Sequence, residues 1–183
     1  MNGDAVPDTP PAQWIRLWQI LADLDEQARR LRYLSQHEPL AQPTPGYPRA
    51  GTHRSHAGEV RKALEDILAR FEELRSLVPA ALSPTLDLPG IAADEHPHAL
   101  AQRLEPLLRL ASGLREQAFQ PAPPLPPHSP PYLVELPGHD LAGTKAVQLA
   151  IGIEGLADAV RNVMLAAANA RERHERLPDA IPP

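Results

Sequence analysis

The sequence predicts an all-α protein, a four-helix bundle with long proline-rich extended connections and no sheet. Three observations carry this reading. Apolar residues recur at alternating spacings of three and four in four separate segments. No stretch alternates with period two. Proline, 23 of 183 residues, gathers mostly between those segments. The three-four rhythm puts apolar side chains on one stripe of a helix. Proline fixes φ and lacks an N–H, so it ends helices and favours extended chain.

The first segment has its stripe at Trp14, Leu17, Leu21, Leu24, Ala28 and Leu31. Its helix is expected over 11–37, with Pro10 and Pro11 at the first turn and Pro39 as the stop. The second stripe is Ala57, Val60, Leu64, Ile67, Phe71, Leu74 and Val78, in a helix over 55–78 capped by Ser55 and stopped by Pro79. The third, Leu100, Leu104, Leu107, Ala111, Leu114 and Ala118, predicts a helix over 97–120. Asp94 or His96 is available there as the cap, and Pro106 inside the helix is expected to kink or split it. The fourth, Leu149, Ile153, Leu156, Val160, Val163, Ala167 and Ala170, lies in a helix over 140–176. From Leu149 to Ala168 its apolar residues spread beyond one stripe, with Gly152 and Gly155 permitting close approach of another backbone. That marks it as either the central helix of the bundle or part of an interface between molecules.

Acid-before-base pairs at i, i+4 support these helices: Asp25–Arg29, Glu26–Arg30, Asp66–Arg70, Glu105–Arg109 and Glu172–Arg176. The helices define one domain over 11–177, with a disordered tail over 1–10 and a flexible tail over 178–183. All three connections exceed the usual two to eight residues or so of bundle loops. The run "QPAPPLPPHSPPYLVELPGHD" from Gln120 to Asp140 suits a stiff polyproline strap lying along the bundle. Leu125, Tyr132, Leu133, Val134 and Leu136 give it apolar groups with which to dock. A P-x-x-P ligand at Pro121, Pro124 and Pro127 is the second reading, but no arginine flanks it to orient the peptide.

Composition narrows the function. Formal charge is −5 and there is no cysteine, so disulfides, thiolate metal sites and cysteine nucleophiles are excluded. Basic residues are nearly all arginine, and the Ala/Arg/Pro/Leu bias fits a high-GC bacterial genome. No basic leader or membrane-length apolar run is visible, so the expected location is cytoplasmic. The arginine groups at 29, 30 and 32 and at 171, 173 and 176 are interleaved with acids or sit at a helix C-terminus. Solvated faces explain them better than a nucleic-acid patch.

Residue patterns that carry chemistry are few. No phosphate-binding glycine loop and no G-x-S-x-G elbow occurs, and no small-molecule substrate or cofactor is indicated. His53, His56 and Glu59, with Glu95 and His98, are the right residue types for a metal. Three-residue steps nevertheless drift around a helix, and the di-iron motif Glu-x-x-His occurs once instead of twice. The expectation is therefore a non-enzymatic helical module that binds protein, as a self-associating subunit, adaptor or regulator of a bacterial complex. Its contact surface is expected at Trp18, Gly152, Gly155 and Met164. The alternatives are a metal-binding enzyme or sensor built on those histidines, and a small nucleic-acid-binding subunit.

Overall fold

A computed structural model describes residues 12–37, 57–85, 93–117 and 141–176. Four helices form: α1 (Ala12–His37), α2 (Ala57–Leu82), α3 (Pro97–Gln117) and α4 (Leu141–Arg176), with 3₁₀ turns at Ser83–Thr85 and Ala93–Glu95. Among the described residues there is no strand. The two expected tails, the first and third proline-rich connections with the P-x-x-P run, residues 86–92 of the second connection, and the Ser55 cap lie outside the described residues.

Packing follows the apolar stripes. α1 packs on α2 and α4, and α3 packs on the same two helices, so the principal contacts run in a ring. The stripe residues Leu17, Leu21, Leu24, Leu64, Ile67, Phe71, Leu100, Leu104, Leu149, Ile153 and Val160 are all withdrawn from solvent into one core. Cross-helix pairs fix directions. Arg16 meets Glu73, Arg70 meets Asp23 and Arg30 meets Glu59, so α2 runs antiparallel to α1. Arg161 meets Asp25 and Arg32 meets Glu154, so α4 also runs antiparallel to α1.

One proline expectation is corrected and a second is narrowed. α2 does not stop at Pro79 but continues through it to Leu82. A proline there forfeits one backbone hydrogen bond, whereas continuing the helix buries Ala81 and Leu82 in the core and lets the Trp14 Nε1–H donate to the Ala81 carbonyl at 2.9 Å. The Thr85 hydroxyl then donates to the Leu82 carbonyl, satisfying an acceptor at the helix end. α3 runs as one helix through Pro106, so of the kink or split expected there the split does not occur.

The start of α3 forms as expected from the sequence. His96 is its cap: the His98 N–H donates to His96 Nδ1 at 3.2 Å, and the His96 carbonyl accepts from the Leu100 N–H at 2.9 Å. Pro97 occupies the first helical position, where its missing N–H costs nothing.

Four of the five expected acid-before-base pairs give way to other partners among the described residues, although Arg61 and Glu65 do pair at i, i+4. Arg30 reaches Glu59 on α2 instead of Glu26. Arg70 reaches Asp23 on α1 and Glu73 instead of Asp66, and Glu105 pairs with Arg75 on α2 instead of Arg109. Arg29 donates to the Asp25 backbone carbonyl and pairs with Glu26. Neighbouring helices bring these opposite charges within reach, which periodicity along one helix cannot register.

Candidate interaction surface

The four residues expected to form a contact surface divide into two pairs. Trp18 is 42% exposed and Gly155 is exposed, with open space where a Cβ would stand. Met164 is buried in the core and is not a surface residue. Gly152 faces α3: a Cβ built on it would lie 2.4 Å from Leu107 Cδ2. Its lack of a side chain lets α3 and α4 approach within one molecule, so the notion that Gly152 serves a contact between molecules is corrected. Both misplaced residues sit on a helix whose apolar positions are too widespread for the spacing alone to separate inner from outer sides.

Around Trp18 the structure gathers groups that sequence reading missed. Ile15 is 44% exposed one turn earlier on α1, and Leu165 is exposed on α4. The Arg161 guanidinium carbon stands 5.9 Å from the Trp18 ring centroid, over its π face. Because Trp18 meets Arg161 and Arg32 meets Glu154 on antiparallel helices, Trp18 lies level with the stretch from Arg161 to Ala168. Leu165 falls inside that stretch. Ile15, Trp18 and Leu165 thus border the outer side of the α1–α4 seam near one end of the bundle. Leu165 belongs to the broad apolar spread of α4, and that spread was the available signal.

The charges along this seam are neutralised within the molecule. Arg161 bonds Asp25 and also donates to Asp158 at 3.2 Å, while Arg32 pairs with Glu154 at 3.3 Å. Arg29 and Arg30 also have carboxylate partners, so the α1 arginine group is balanced by acids. A perturbed pair, Arg16 and Glu73, lies remote from the seam, on the α1–α2 side. There the hydrogen bond from Arg16 holds the Glu73 carboxyl below the usual carboxylate range, with Arg70 assisting, and the same bond raises the Arg16 guanidinium.

Of the metal-type residues, Glu59 has a partner on α1 and His98 lies against the α3 cap. Glu59 accepts from Arg30 at 3.2 Å, and His96 serves as a cap beside His98, their rings stacked at 5.5 Å. Among the described residues no group of three histidines or carboxylates is placed to hold a metal ion. His53 and His56 lie outside the described residues. No helix among the described residues is long and apolar enough to cross a membrane. Comparisons of the chain with protein-family models, curated proteins and solved structures find no match.

Proposed function

We propose that the protein is a non-enzymatic helical module that acts by binding protein through the outer side of its α1–α4 seam. The observation that carries this reading is the placement of Ile15, Trp18 and Leu165, three large apolar side chains half exposed at one level of the bundle. A tryptophan left 42% exposed beside a closed leucine core presents to a partner apolar area that the core does not use. Tryptophan and arginine together are the residue types most enriched where binding energy concentrates. Apolar groups rimmed by charges form the usual anatomy of a contact surface.

The charge distribution favours protein over nucleic acid as partner. Nucleic-acid binding rests on cations able to neutralise phosphates, and here the arginines beside the patch are engaged with Asp25, Asp158, Glu154 and Glu26.

Site-specific photo-cross-linking in the source cells tests the reading. A cross-linking amino acid at position 18 should give a discrete protein adduct, and the same group at Gln102, exposed on α3, should not. No adduct from position 18, or equal adducts from both positions, would overturn the proposal.

A further inference from the structure

We infer that the partner on this surface is a second copy of the same chain, docked antiparallel through α4 with a two-fold axis near Leu165 and Ala166. The inference rests on the protein-binding reading above and names its partner. Its basis is a symmetry in the outer strip of α4. Asp158, Asn162, Leu165, Ala166, Asn169 and Arg173 are all exposed and fall within about 100° of arc at 100° per residue. They form three pairs equidistant from one midpoint: Leu165 with Ala166, Asn162 with Asn169, and Asp158 with Arg173. The strip is about 22 Å long at 1.5 Å per residue.

A two-fold contact needs a surface complementary to itself, so that residue i meets j while j meets i. Antiparallel docking about the midpoint meets that requirement at each position. Leu165 packs on Ala166 of the other copy at the centre. Asn162 and Asn169, whose amides both donate and accept, face each other on either side. Asp158, with its side chain 72% exposed, meets Arg173 at each end. Arg173 is exposed and uses its Nε to donate to the Asn169 carbonyl at 3.2 Å, which aims it along the helix surface. A parallel docking would instead set Asp158 beside Asp158 and Arg173 beside Arg173. The charges therefore select the antiparallel arrangement.

The same axis brings the α1 helices together. A two-fold axis lying in the contact plane, across α4, keeps α1 on the same side in both copies. Trp18 lies level with Arg161 to Ala168, so each Trp18 approaches the axis from its own subunit, with Ile15 beside it. The apolar patch of the seam is then covered from both sides.

Charge reversal tests the arrangement. Sedimentation equilibrium over a wide concentration range should show the full-length protein passing from monomer to dimer. Asp158→Arg and Arg173→Asp should each weaken the dimer about tenfold, because each change places two like-charged pairs at the ends. The two together should return the dissociation constant close to that of the parent, with helicity unchanged by circular dichroism in all variants. Reversal without rescue, or a strict monomer at near-millimolar concentration, would overturn the dimer. A position-18 adduct containing peptides of another protein would also overturn the dimer while leaving the protein-binding reading intact. Absence of any adduct would remove both.

Discussion

The Trp14 indole N–H donates to the Ala81 carbonyl at 2.9 Å, joining the first turn of α1 to the last turn of α2. This bond ties together helix ends 67 residues apart in sequence and gives a partner to a carbonyl that a helix terminus would otherwise leave open. Trp14→Phe keeps most of the apolar packing and should cost about 1 kcal/mol in urea unfolding. Trp14→Ala should cost about 3–5 kcal/mol by opening a cavity. Trp18→Ala, removing a half-exposed ring, should cost far less than Trp14→Ala. A comparable loss at both positions would show that Trp18 has a structural role.

Gly152 and Gly155 provide a matched comparison on one helix. Alanine is preferred over glycine in a helix interior by about 1 kcal/mol. Gly155→Ala should realise most of that gain, because its Cβ enters open space. Gly152→Ala should fall short, because Leu107 must rotate away to admit the methyl group. In a Leu107→Ala background the two substitutions should become equivalent. Thermal unfolding of the two single variants, Leu107→Ala and the two doubles checks this.

Acid should weaken the α1–α2 contact at Glu73. The Arg16 hydrogen bond lowers the Glu73 pKa in the folded state, so the folded protein holds this carboxyl ionised more firmly than the unfolded chain does. The resulting stabilisation is present above the ordinary carboxylate pKa and is lost as pH falls through the depressed folded value. Glu73→Gln should therefore be less stable than the parent at neutral pH and converge with it in strong acid. Because both side chains reach solvent, added salt should narrow the neutral-pH difference. A gap independent of pH would mean that packing, not charge, holds this contact.

Much of the fold was legible because the apolar stripes are long and regular: Leu17, Leu21, Leu24 and Leu31 on α1 and Val60 through Val78 on α2 are all buried as their spacing requires. The cap of α3 was legible only as one of two residues, Asp94 or His96, because both precede the helix-starting Pro97, and the structure places His96 there. Pro79 was misread because the burial of Ala81 and Leu82, which outweighs one lost hydrogen bond, depends on α1 and the rest of the core. Gly152 and Met164 were misread for a related reason. On a helix apolar on several sides, only the neighbouring helix decides which positions are inside. The charge pairs carry the same lesson, since Arg30 and Arg70 choose carboxylates on other helices that spacing along one helix does not reveal.

The most direct test of the central claim isolates Trp18 as a reporter. With Trp14→Phe, Trp18 becomes the only tryptophan of a chain that has two, and its quenching by a soluble quencher reads exposure at the seam. Trp18 should quench readily in dilute solution, then become shielded with a blue-shifted emission as the protein is concentrated. Leu165→Glu should abolish both changes. Equal quenching of Trp18 at every concentration, and in concentrated extract of the source cells, would contradict the central claim.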